Sequence, residues 1–456
     1  MGKDVFREDA FQHLLQDKVP LLKKVLSHHR DPASLYKLIE GLHPREIAYL
    51  IQYLEAPYRE SFVIWLKPHF NPEVFLFLAQ NLRADVMSLL SSPEVVQILM
   101  ALESDRALSL LSSLEEEQQE AVLEAMPEKE RILFSTRLAY AEDSAGRLMQ
   151  MEVLTLSQDW SIAQSLKHIR ELKVFPSHIQ DAFVVDEYHH PIGILPLSRL
   201  LREKEGLIKD FMDLEVHSIP VQWDQEEVAF MFRLYTLISA PVVNEMNELL
   251  GMITLDKVMD VIERKAAEDL FHMGRIHSSD FYASIFKTSF SRIHWLIITL
   301  FNTLLTSVVI NAFQETLQEK VALTVLMPIA AAMGGNTGIQ SATVIIRALA
   351  TRELSMVNAG KTLLKEGRVA LLNGTIFGIL LGIIVYFWFN DIHFSMILGG
   401  AVVFNMLWAG LAGTFLPIMI ARFRCDPALS AGPLLTTTTD VLGYVLFLGL
   451  AKWLTL

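Results

Sequence analysis

The sequence predicts a multi-domain chain: an all-α helical superhelix, an α/β pair of repeated modules, a connecting helix and a five-span α-helical membrane domain. Three observations carry this. The 456 residues exceed what one core can hold and require about two to four domains. Hydrophobic residues make up 52% and mean hydropathy is +0.33, yet 20% of residues are charged, so apolar spans stand beside large soluble parts. The hydrophobic period also changes twice along the chain, near residues 139 and 291.

Residues 1–138 read as helices throughout. Apolar residues recur at three and four spacing in SLYKLIEGL, EIAYLIQYL and EVVQILMAL. Pro44, Pro57, Pro72 and Pro93 stand where a first helical turn accepts proline. Short helices on short turns suggest a HEAT-like superhelix. No chemistry is visible here, and Asp105 and Glu115–Glu117 read as a solvated face. Residues 139–205 and 206–264 repeat one pattern of helix, β-branched run, acidic turn, strand and helix. AFVVDEYHHPIGILPLSRLL is answered by SAPVVNEMNELLGMITLDKVMDVI, with Gly193 and Gly251 in matching places. The repeat resembles a pair of CBS modules. That resemblance implies ATP or another adenosine nucleotide as a ligand class, which no residue here singles out, or regulation of a neighbour. Residues 265–290 extend the last helix with mixed charge and read as a connecting helix.

The charge is uneven. Before Ile293 there are 30 basic and 45 acidic residues; from Ile293 onward there are 9 and 7. A soluble half this acidic repels nucleic acid and attracts cations. Cys425 is the only cysteine, so no internal disulfide forms. The polar N-terminus is unlike an apolar secretory signal, and the soluble half is expected in the cytoplasm. Five apolar spans fill the last domain, residues 291–456: about 293–313, 322–350, 368–389, 394–422 and 433–455. Arg347, Arg352, Lys361, Lys365 and Arg368 follow the second span, and Arg422 and Arg424 the fourth. The positive-inside rule places those connections, and the N-terminal half, in the cytoplasm and the C-terminus outside.

Two places in the spans carry chemistry. The second span holds Pro328, Gly334, Gly335, Asn336, Gln340 and Ser341. These suit a kinked helix that turns backbone and amide oxygens to a watery path. They equally suit a close contact between helices through small residues. In the fifth span Asp440 follows four threonines. An intramembrane carboxylate costs about 2.5–3.5 kcal/mol by insertion scales and is retained, as a rule, for an ion path or proton relay. The other reading is a neutral carboxyl bonded to Thr436 or Thr437. Spans one, three and four have no acid or base in their central turns. The available ligands are hard oxygens, which fit a hydrated Mg2+ held through one carboxylate and argue against zinc or copper. One chain offers few ligands, so a homodimer is expected to double the charge.

PIAAAMGGNTGIQSATVIIRALATREL together with DPALSAGPLLTTTTDVLG resembles the paired signature of the MgtE-type magnesium channels. EDSAGRLM, DQEEVA and ERKAAEDL resemble that family's cytoplasmic half, so the likeness covers essentially the whole chain. It implies a homodimer in the plasma membrane, a bacterial inner membrane, with an ion path along spans two and five. Asp440 would hold hydrated Mg2+, and Asn336, Gly335 and Thr436 would complete the site. It also implies Mg2+ sensing by cytoplasmic acids, including those of the connecting or plug helix. Asp224, Glu226, Asp260, Glu268, Asp269 and Asp426 keep an acid at such positions. Lys257, Lys265 and Thr236 depart from the pattern, and a built-in ammonium would weaken or replace the Mg2+ lock. The remaining alternatives are a transporter of Co2+ or Mn2+ and a membrane-anchored CBS sensor. With no P-loop and no ligand-spaced histidine pair, an enzyme or ATP-driven pump is not expected.

Overall fold

Proline and side-chain caps divide the N-terminal region into short helices. The computed structural model describes all residues except 1–16, 28–31, 68–70, 173–178, 275, 277–284, 356, 424–425 and 456. At the helix Pro44–Tyr53, His43 accepts the Arg45 N–H while Glu46 returns to the His43 N–H, and Pro44 occupies the first turn. Asn71 before Pro72 and the Ser91–Glu94 box around Pro93 repeat this economy, and the helices through Glu128–Leu138 bury Leu50, Phe62, Phe75, Leu110 and Leu111 in one core.

Two three-stranded sheets follow. β1 (Thr155–Ser157) runs parallel to β2 (Asp181–Val185), which pairs antiparallel with β3 (Pro191–Pro196). β4 (Ile219–Pro220), β5 (Ser239–Val243) and β6 (Leu249–Thr254) repeat the arrangement. The repeat holds in detail: Gly193 faces Val184 and Gly251 faces Val242, with a register shift just after each valine. Both glycines admit a close neighbour. A Cβ on Gly193 would lie 2.5 Å from Met212 Sδ, and one on Gly251 2.5 Å from the Gln150 carbonyl. The connectors are therefore exchanged. Gln150 bridges to Met252 of the second sheet, and Asp213 bridges to Ile194 of the first. Ser239 Oγ donates to Asp181 Oδ2 at 2.8 Å, joining the two modules.

The chain divides into two compact units, residues 1–264 and 265–456. The helix Leu255–Met273 covers the start of the expected connecting helix; residues 275 and 277–284 of that stretch lie outside the described residues, and helix resumes at Ile285. Among the described residues of the second unit, five helices are long and apolar enough to cross a membrane: Thr288–Ala312, Ala322–Ala350, Ala359–Phe389, Ile392–Arg422 and Ala431–Leu454. Ile297, Phe301, Leu372 and Ile379 project outward from them, while Leu326, Ile397, Leu398, Phe447 and Leu448 form an internal core. Gly378 of the third span meets Gly399 of the fourth, where a Cβ would lie 2.7 Å from the Gly399 carbonyl. The second span is one unbroken helix. No interruption opens at Gly334-Gly335-Asn336, where Gly334 lies against a neighbouring side chain. Missing backbone donors occur instead at Pro328 and, in the fifth span, at Pro433.

Candidate functional site

The second and fifth spans pack through glycine. Gly338 lies against Leu435, where a Cβ would come within 3.0 Å of the leucine side chain, and Gly334 and Gly443 both abut the Asn405 amide. Gly338 meets Leu435 and Gly334 shares a neighbour with Gly443, so the contacts run in opposite order along the two helices, which are antiparallel. Asn336 and Asp440 both lie in the interval between these contacts. Asn336 is exposed, and Gly335, Thr436 and Asp440 are half-buried. A Cβ on Gly335 would meet nothing within 4 Å. The two adjacent glycines therefore differ in role: Gly334 makes the tight contact, and Gly335 borders open space.

Thr436 and Asp440, four residues apart, share one helix face. The hydroxyls of Thr436 and Thr437 donate to the Gly432 and Pro433 carbonyls at 3.0 and 2.8 Å. A hydroxyl that donates to its own helix keeps oxygen lone pairs for another partner. One acid escaped the sequence reading. The third helix starts at Ala359, well before the apolar stretch, and puts Glu366 in its second turn. Ser341 Oγ of the second span donates to Glu366 Oε2 at 3.2 Å. The signal was available in helical continuity, but apolar counting left Glu366 in the basic connection.

The cytoplasmic acids fall into separate groups. Asp224 caps the helix Gln225–Tyr235, accepting the Glu226 N–H at 2.7 Å, and both side chains are exposed. Thr236 ends that helix at φ 53°, a left-handed conformation unusual for a β-branched residue. Partial desolvation raises the Asp260 carboxyl above its ordinary range, against the pull of Lys257. Glu268 pairs with Lys265 at 3.2 Å. Desolvation, then the nearby Asp426 charge, raises Asp269; His272 and Lys265 oppose the shift. Asp426 Oδ2 lies 2.7 Å from His272 Nδ1, and Oδ1 accepts the Ala428 N–H at 2.8 Å. The structure thus gathers Glu268, Asp269 and Asp426. Among the described residues, no three His, Cys, Asp or Glu stand in an arrangement that could hold a metal ion.

Asp105 is not on a solvated face. Its carboxylate lies 2.5 Å from Lys257 Nζ, with the two side chains 7% and 11% exposed. The helix Ser104–Ser112 begins at the junction with the paired modules: Ser104 Oγ donates to Glu152 at 2.8 Å, and Arg137 donates to the Met149 carbonyl. The module covers what the N-terminal helices alone would leave wet.

Comparison with known proteins places these features together. Residues 327–450 match the MgtE family, described as a divalent cation transporter. Residues 42–143 match the MgtE intracellular N domain, and residues 145–206 and 208–264 match CBS domains. The magnesium transporter MgtE of Thermus thermophilus is 34% identical over 319 residues, 69% of this chain and 71% of the relative. That of Bacillus subtilis is 30% identical over 315 residues, 68% and 70% of the respective chains. A solved cytosolic domain of the Mg2+ channel MgtE in complex with ATP is 25% identical and covers 53% of this chain and 99% of its own, with a TM-score of 0.48. The chain belongs to the MgtE family of divalent cation transporters, membrane proteins that move ions and are not enzymes.

Proposed function

We propose that the chain carries hydrated Mg2+ into the cell through a homodimeric path lined by the second and fifth spans. Asp440 is the carboxylate of that path, and Asn336, Gly335 and Thr436 complete it. The observation that carries this reading is the half-buried Asp440, which lies with Asn336 between the glycine contacts of the two spans. The relatives named magnesium transporters support the choice of ion. Mg2+ keeps most of its water and is held by one or two carboxylates, so a second copy of the chain would supply the second. The acidic soluble half and the basic connections support a cytoplasmic N-terminal side and an external C-terminus.

Regulation is assigned to the cytoplasmic acids. Glu268, Asp269 and Asp426 crowd like charges, which a bound Mg2+ would relieve; Asp224, Glu226 and Asp260 are the further candidates. Lys257 already neutralises Asp105, so cytosolic Mg2+ inhibits this chain less steeply than a chain with an acid there. ATP or another adenosine nucleotide is assigned to the CBS pair on the strength of the module match. The family's description as a divalent cation transporter favours one second reading, in which Co2+ or Mn2+ is carried as well.

Uptake in magnesium-starved cells tests the proposal. Asp440→Ala is expected to abolish Mg2+ uptake while protein in the membrane stays at the wild-type level. Uptake that survives the substitution refutes the path, and Co2+ or Mn2+ competing at equal concentration favours the broader substrate range.

A further inference from the structure

Apolar packing does not account for one side chain of the fourth span. Asn405 is fully shielded from solvent. Its Nδ2 donates to the Ala330 carbonyl of the second span at 2.9 Å, and its Oδ1 has no hydrogen-bond partner among the described residues. A buried, unpaired carbonyl oxygen is costly, and a leucine of similar shape would avoid the cost. The surroundings are nevertheless shaped to the amide. A Cβ on Gly334 would come 2.2 Å from Nδ2 and 2.6 Å from Cγ, and one on Gly443 would come 2.6 Å from Nδ2. Two glycines on different spans make room for one carboxamide on a third. Gly334 lies just before Asn336, and Gly443 lies one turn beyond Asp440.

We infer that Asn405 is a positioning residue for ion passage: wedged between Gly334 and Gly443 and tied to the Ala330 carbonyl, it sets the spacing of the second and fifth spans at one end of the interval that holds Asn336 and Asp440. The inference rests on the path proposed above. In a close-packed interior, the distance between two helices follows the side chains at their contact. The Asn405 amide fills that contact, and its hydrogen bond fixes the height at which it does so. An ion that crosses with its water shell is sensitive to the resulting width, because Mg2+ holds its waters more firmly than softer divalent ions do.

The test uses the full chain reconstituted in liposomes, with Mg2+ and Mn2+ uptake measured side by side and inserted protein quantified for each variant. Gly334→Ala drives a methyl into the amide and is expected to lower Mg2+ uptake about tenfold, a coupling of the usual size for residues in contact. Asn405→Ala removes the clashing atoms, so the Gly334→Ala/Asn405→Ala chain is expected to return to the level of Asn405→Ala alone. Asn405→Ala by itself is expected to raise the ratio of Mn2+ to Mg2+ uptake about fivefold, on the same scale of coupling. Asn405→Leu keeps the volume and is expected to keep a ratio nearer wild type. Should Gly334→Ala fail to insert, recovery of both inserted protein and uptake in the double variant supports the same conclusion. A double variant no better than Gly334→Ala, or an unchanged ion ratio in Asn405→Ala, overturns the inference. Asp440→Ala in the same liposomes separates the two failures. If it still takes up Mg2+, the path itself is wrong; if it is silent and the double variant is not rescued, only the role of Asn405 falls.

Discussion

The ammonium of Lys257 lies against Asp105 in a place nearly closed to water. Bringing both charges there costs desolvation, and removing one partner strands the other, at about 3–5 kcal/mol. Lys257→Ala should therefore lower the melting temperature of the detergent-solubilised chain. Millimolar Mg2+ should recover part of that loss, because Asp105 then loses its ion-pair partner and keeps only the more distant pull of Arg137, whereas wild type should not respond. Melting curves with and without Mg2+ decide it; a variant indifferent to Mg2+ leaves Lys257 with no cation-like role. The sequence marked Lys257 as out of place but did not identify its partner. Spacing within one helix shows which face Asp105 occupies, and no local pattern shows that another module covers that face. Asn405 was hidden for the same reason, since an amide in an apolar span acquires meaning only from Gly334 and Gly443 across the interface.

At the scale of the element, the spans were legible because about twenty apolar residues have few other uses. Their ends were less so. The third helix starts at Ala359 with two polar turns that hydropathy alone assigns to a connection, and Glu366 lies there. Of the two readings left open at Gly334-Gly335, a kink or a close contact, the second holds at Gly334, because small residues serve flexibility and close packing alike and the choice falls to the neighbouring helix. Gly378 shows the packing use plainly. Gly378→Ile puts a branched side chain where a Cβ alone would be 2.7 Å from the Gly399 carbonyl. The expected cost is about 1–3 kcal/mol of overpacking, read as reduced membrane-inserted protein and a lower melting temperature. Undiminished yield and stability would mean that the third and fourth spans are not held by this contact.

For the whole molecule, charge is as uneven as hydropathy: the acids concentrate before Ile293, and from Ile293 onward seven of the nine basic residues gather in two connections between spans. Orientation follows from that asymmetry and can be read chemically. In a Cys425→Ser background, Glu315→Cys should react with an impermeant thiol reagent on intact cells, and Lys361→Cys only after permeabilisation. The reverse pattern would invert the chain in the membrane. The module repeat was legible from its matched glycines, but the exchange of connectors was not, because Gln150 and Asp213 each pair with a strand of the other module, which no pattern local to one module shows.

Asp105, Arg137, Glu152 and Lys257 all lie before Arg264. During synthesis, at about 5–20 residues per second from the N-terminus, each of them leaves the ribosome ahead of the first apolar helix. The nascent cytoplasmic part holds all four of these charged groups before translation reaches a segment that needs lipid. Its folding and the insertion of the spans can therefore proceed as successive events.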